Sequence, residues 1–343
     1  MPRIRQFASD NQSGMCPEVA AAITSANPEH VPSYGEDQGT ASAADLIRST
    51  LGVEAEVFLV CTGTAANALA LAACAQPFQS ILCHESAHIE TDECGSPEFF
   101  SGGSKLIQVP GADGLIDPQQ LRAIATRRAD LHYPRPRVVS LTQSTELGTV
   151  YPLDHLRAVA AVASELGLLV HMDGARFANA VASLGVAPRE ILLAGGVDVL
   201  CLGGSKNGGM IGEAVVFLDR QVALDFAWRC KQSGQLVSKM RFLSAQWEGL
   251  LQDGTWLRLA AHANAMAARL AAALRAAGID PLHPVHGNAV FLGLDAAASA
   301  RLRARGWSFY AFIGGGARFV CSWDSRADEV DELAVDILSA LRS

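Results

Sequence analysis

From about residue 41, short and nearly unbroken apolar runs alternate with longer stretches in which apolar residues recur every three or four positions. VFLVC (57–61), SILCH (80–84), RVVSLT (137–142), LGLLVHMD (166–173), VDVLCLG (197–203) and EAVVFL (213–218) are the runs. A strand covered on both faces needs such continuity, so the pattern predicts a mainly parallel sheet wrapped by helices. ALALAACA (68–75) and LDHLRAVAAVASEL (153–166) read as two of those helices.

The strand rhythm stops after about residue 219, and helical segments continue to residue 277, ending in the Ala-rich RLAAHANAMAARLAAALRAAG (258–278). Gly278 is a suitable residue just beyond a helix end. NAVFLGL (288–294), SFYAFI (308–313) and ARFVCSW (317–323) then alternate with helical ASARLRARG and DEVDELAVDILSALR. The fold class expected is α/β: an N-terminal arm and large domain over 1–248, then a small α+β domain over 249–343. No internal repeat or low-complexity linker interrupts it.

Composition narrows the function. Half of the 343 residues are apolar and only 6% are aromatic, which suits closely approaching helices and strands. A net charge of −8 without a basic cluster argues against nucleic-acid partners and acidic lipid surfaces. Arg3 and Arg5 lead only into polar FASDNQSG, the first thirty residues hold no apolar run of signal-peptide length, and the longest apolar stretches elsewhere fall short of a membrane span, so a cytoplasmic location is expected. The eight cysteines lack C-x-x-C spacing and read as buried thiols. Cys83, His84, His88 and Cys94 lie close in sequence, but they form no familiar ligand set and no metal is expected.

Three segments carry chemistry. VDVLCLGGSKNGGMIGEAVVF runs a buried strand into a glycine-rich turn that presents Lys206. A lysine among apolar strands is a usable nucleophile, and the glycines leave room for a ring; an ordinary surface turn is the plainer alternative. In LGLLVHMDGARF, Asp173 ends another buried strand, where open sheets bind ligands. An aspartate there can pair with a pyridinium nitrogen, or simply cap the following helix. In VCTGTAANALALAAC, a strand and a Gly-Thr turn enter a helix, so Gly63, Thr64 and Ala65 offer N–H groups and a hydroxyl to a phosphate. Phosphate cradle, aspartate and lysine, in that order, are expected of fold type I pyridoxal 5′-phosphate (PLP) enzymes.

The chain also resembles the low-specificity L-threonine aldolases. The likeness is carried by FASDNQSG (7–14), PSYGEDQGT (32–40), CTGTAANALAL (61–71), ESAHIETDECGSPEFF (85–100), LHYPRPRVVSLTQ (131–143), HMDGARFANA (171–180), GGSKNGG (203–209) and ARFVCSWD (317–324). It implies a PLP-dependent aldehyde-lyase that cleaves β-hydroxy-α-amino acids to glycine and an aldehyde, working as a homodimer or homotetramer. Lys206 matches the lysine that carries the cofactor, and Asp173 the partner of the pyridine nitrogen. His88 matches the histidine stacked on the ring, and His132 a second histidine near the substrate hydroxyl. Arg176 and Arg318, with Ser9, match residues on the cofactor and the substrate carboxylate; Gly63 and Thr64 match the phosphate loop. Tyr34 matches an active-site residue near a subunit interface. TQSTELGTVY (142–151) departs from the ENTHNG-type stretch of the family, which leaves the contacts of the β side chain open. Another fold type I lyase, a transaminase and a PLP-binding module without turnover are the rival readings.

Overall fold

The structure is a computed structural model, and it describes residues 5–312 and 316–342. Its centre is a seven-stranded sheet of β2 (Glu56–Val60), β3 (Gln79–His84), β4 (Lys105–Val109), β5 (Arg135–Thr142), β6 (Leu169–Gly174), β7 (Val199–Gly203) and β8 (Glu213–Phe217), with β1 (Arg5–Gln6) preceding them in the chain. The spatial order is β2-β8-β7-β6-β5-β3-β4, and every neighbouring pair from β7 to β4 is parallel. Only β8 runs against its neighbours. The expected α/β class with a mainly parallel sheet is therefore the observed one.

Alternate residues explain why the strands read as unbroken apolar runs. Leu82, Val139, Leu141, Met172, Leu200 and Val216 enter the core on one face. Ile81, Cys83, Val138, Val199, Cys201, Val215 and Phe217 enter the core on the other. Both faces are covered by helices, as a parallel sheet requires. The sheet's outer strand β4 has a different pattern, with Lys105 exposed, Leu106 half-buried and Gln108 exposed between buried Ile107 and Val109, which is why KLIQV does not stand out as a buried run.

Some predicted boundaries move for local reasons. Leu166 ends the helix Leu153–Leu166, and Gly167 closes it at φ +65°, so β6 starts only at Leu169. Gly278, at φ +80°, does follow the end of the helix Thr255–Ala276. SFYAFI divides into β10 (Trp307–Ser308) and β11 (Tyr310–Ala311), while its Ile313 lies outside the described residues, as does Arg3.

The C-terminal part adds a three-stranded sheet in which β12 (Ala317–Val320) pairs with β11 and with β9 (Ala289–Leu292). The helix Thr255–Ala276 joins the two bodies: Trp256 and Ala260 belong to the large core, while Ala267, Leu270, Ala271 and Leu274 belong to the small one. The change of core thus falls inside a continuous helix. The arm crosses the same seam. β1 pairs with β10, and Phe7 packs 5.7 Å from Trp307 in the small core, before Ser9 and Asp10 turn toward the large sheet.

Candidate active site

The carboxyl ends of β2, β3, β5, β6 and β7, together with the start of β8, lie along one rim of the sheet. Lys206 stands in a single 3-10 turn, Ser205–Asn207, directly after β7. Gly203 ends that strand so close to the next chain segment that a Cβ there would sit 2.2 Å from the Ala175 carbonyl oxygen, so no other residue fits. Neighbouring β6 delivers Asp173, which is buried and accepts hydrogen bonds from the Ala175 N–H (3.0 Å) and from Asn67 Nδ2 (3.0 Å). Burial alone pushes the Asp173 carboxyl up, but His88, the Ala175 N–H, Lys206 and His171 outweigh it and hold the group below its ordinary value. Asp173 is therefore an ionised carboxylate in a dry setting.

A polar chain runs outward from it. Asn67 Nδ2 also donates to Glu93 Oε1 (2.8 Å), and His88 Nδ1 donates to the same oxygen (2.9 Å). The Glu93 side chain is fully enclosed, and its second oxygen has no partner. Burial opposes a charge on His88, yet the bond to Glu93 and the charges of Glu146 and Asp173 prevail and raise its pKa. A histidine so held keeps one orientation and gains basicity. Nothing in the sequence links Glu93 to His88: they stand five positions apart across the end of the short helix His88–Thr91, with no periodicity between them.

The phosphate expectation falls on the first turn of the helix Gly63–Cys74. Thr62 caps it by accepting from the Ala65 N–H (3.1 Å), so Ala65 is taken, while Gly63 and Thr64 remain at the helix start beside the cleft. That cleft is lined by Gly63, Asn67, His88, Asp173, Lys206 and Glu213. An outer cavity of about 390 Å³ shares His88 and Lys206 with it and adds Ser9, Glu146, Arg176 and Arg318. Arg176 spends its fork on Asp10, with Nε 2.7 Å and Nη2 2.9 Å from the two carboxylate oxygens, so it anchors the arm as well as lining the cavity. Arg318 is different. Its Nε is buried without a partner, and burial beside Arg176 lowers its pKa.

A model of the beta-eliminating lyases matches residues 6–297. The chain is 56% identical over 336 residues to the low specificity L-threonine aldolase of Pseudomonas aeruginosa, covering 97% of each protein. The chain belongs to the low specificity L-threonine aldolase family. A second member, from Pseudomonas sp., is 53% identical over 339 residues and 98% of each chain. The solved threonine aldolase of Leishmania major superimposes with a TM-score of 0.90 at 29% identity, over 98% of both chains. Oryza sativa TDC, solved with PLP and tryptamine, shares the fold at a TM-score of 0.76 and 14% identity, with 98% of this chain and 83% of that one covered. Like its family, the chain is a lyase.

Two residues that the aldolase resemblance assigns to the site stand away from both cavities of this chain. His132 is exposed in the loop before β5, where its N–H bonds Asp130 (3.1 Å), and the eight residues of β5 carry the chain about 26 Å to the other rim at Thr142. It lines neither cavity. Tyr34 is 46% exposed, with the Lys231 ammonium 4.6 Å from its ring, and it too lies outside both cavities. His84, from the Cys-His cluster, bonds Ser86 (2.8 Å) and the Gly111 carbonyl (3.0 Å) through its two ring nitrogens. Among the described residues no group of three or more His, Cys, Asp or Glu is arranged to hold a metal, and no single helix is long and apolar enough to cross a membrane.

Proposed function

We propose that this chain is a PLP-dependent aldolase that cleaves L-threonine, L-allo-threonine and related β-hydroxy-α-amino acids to glycine and an aldehyde. The observation that carries the reading is the convergence of Lys206, ionised Asp173 and His88 on one cleft beneath a helix N-terminus. The donor set suits the cofactor: an amine for its aldehyde, a carboxylate for its pyridinium nitrogen, and the Gly63 and Thr64 N–H groups for its phosphate. When bound, PLP supplies an electron sink for the pair released as the Cα–Cβ bond breaks.

The chain's own residues do the rest. Arg318, with its unpartnered Nε, receives the substrate α-carboxylate, and Ser9 stands beside it at the cavity wall. Fixing the carboxylate decides which bond at Cα lines up for cleavage. His88, held through Nδ1 by Glu93, accepts the β-hydroxyl proton at Nε2 as the aldehyde leaves. Arg176 keeps the arm and Ser9 in place through Asp10. We also infer a homo-oligomer, the closed symmetric assembly that the aldolase resemblance implies. Incubation with PLP and L-threonine should yield glycine and acetaldehyde in equal amounts. Formation of a keto acid and pyridoxamine phosphate instead would overturn the reading in favour of transamination.

A further inference from the structure

Glu213 has no part in the steps above, yet it is a carboxylic acid buried beside Lys206. It opens β8 in the otherwise apolar EAVVF, and the ladder sets it opposite Val60 on one side and Gly203 on the other. Its Oε2 accepts from the Gly204 N–H (2.6 Å), and its Oε1 from the Ser205 hydroxyl. Those are the two residues that lead into the lysine. Across the cleft it shares walls with Lys206, Asp173 and His88. The strand that delivers Lys206 is thus flanked by two buried carboxyl groups, Asp173 on β6 and Glu213 on β8.

We propose that Glu213 is a positioning residue for Lys206, fixing the Gly204–Ser205 backbone from which the lysine springs and setting a second carboxyl group beside the cofactor end of the cleft. This rests on the reading of Lys206 as the cofactor lysine. A side chain there that served only to fill the core would be apolar, since burying a carboxyl group is costly unless it is bonded. An acceptor that served only to tie the turn would need no charge. Burial pushes the Glu213 carboxyl up to about 7, against the bonds from Ser205 and Gly204 and the attraction of Lys206, so it changes charge near neutrality. The groups facing it are Cys201, Ser205 and Lys206 from β7 and its turn, Asp173 from β6, His88 across the cleft and uncharged Asn67. Val60 lies beside it, and Trp247 lies over Gly204.

The test uses the PLP-loaded protein, with Glu213→Gln and Glu213→Asp beside the wild type. Gln keeps the size and an acceptor but never ionises; Asp ionises. The visible absorbance of the bound cofactor is followed from pH 5 to 9, and cofactor release is measured by dialysis at fixed pH. We expect Glu213→Gln to move the midpoint of the absorbance change by about one pH unit, as loss of a nearby charge does. Glu213→Asp should restore the wild-type midpoint while releasing cofactor faster, because the shorter arm ties the turn less well. Thermal unfolding of both variants without cofactor separates misfolding from a change in the site. Identical midpoints in the wild type and the Gln variant, both folded, would overturn the proposal. Absence of any cofactor attachment to Lys206 in the wild type would remove the parent reading and this one with it.

Discussion

The two rims of the central sheet hold their charged residues differently. At the carboxyl rim, Asp173, Glu93 and Glu213 are buried, share hydrogen bonds through Asn67 and the Lys206 turn, and stand near polar atoms without partners at Asn67 Oδ1, Glu93 Oε2 and Arg318 Nε. At the other rim, Arg128 and Asp130 pair at 2.7 Å with both side chains near half exposed, and Arg220 reaches Glu54 and Glu56 in the same manner. Solvent screens those surface pairs and leaves them little to contribute. Buried groups left incompletely bonded are costly in a fold that gains nothing from them. The contrast teaches that charge alone does not mark the site in this chain; several carboxyl groups held out of water around one cleft do.

The largest effect expected is at the lysine. Lys206→Ala should lower threonine cleavage by at least about 10⁴-fold, as loss of the residue that carries the chemistry does in other enzymes, and activity within tenfold of wild type in a cleavage assay would break the comparison. His88→Asn should come next, with a loss of about 10²–10⁴-fold in cleavage. Exchange of the glycine α-proton for deuterium, which involves no hydroxyl, should fall far less. Equal losses in the two reactions would leave His88 as a support for the ring and nothing more. Arg318→Ala should raise KM for threonine by about 10–100-fold, the worth of a bond to a charged group, with a smaller change in kcat. His132→Asn should change kcat/KM by no more than about twofold. A large loss there would show that the amino rim of one copy serves the site of another.

Much of this was legible because burial on both faces writes itself into the sequence. The runs from VFLVC to EAVVFL mark the sheet; Asp173 stands at the end of its strand, and Lys206 and the cradle at Gly63 follow theirs. His132 precedes β5 and so comes out at the amino rim of its own chain. The contacts of Asp10, Glu93 and Glu213 were not legible. Asp10 meets Arg176 across 166 positions, and Asn67 brings together Glu93 and Asp173 across 26 and 106; only the folded chain creates those distances. The seam between the two cores was hidden because the helix Thr255–Ala276 stays Ala-rich across it, with no break in pattern where the neighbours change.

On the proposed function, Lys206 at the carboxyl rim is the attachment point of PLP. The chain contains four lysines, Lys105, Lys206, Lys231 and Lys239, which makes the test direct. The PLP-loaded protein is reduced with borohydride, digested, and its peptides mapped by mass spectrometry for the fixed cofactor. The account predicts that the label falls on the peptide containing Lys206 and is lost in Lys206→Ala. Label on Lys105, Lys231 or Lys239, with Lys206 unmodified, would contradict it.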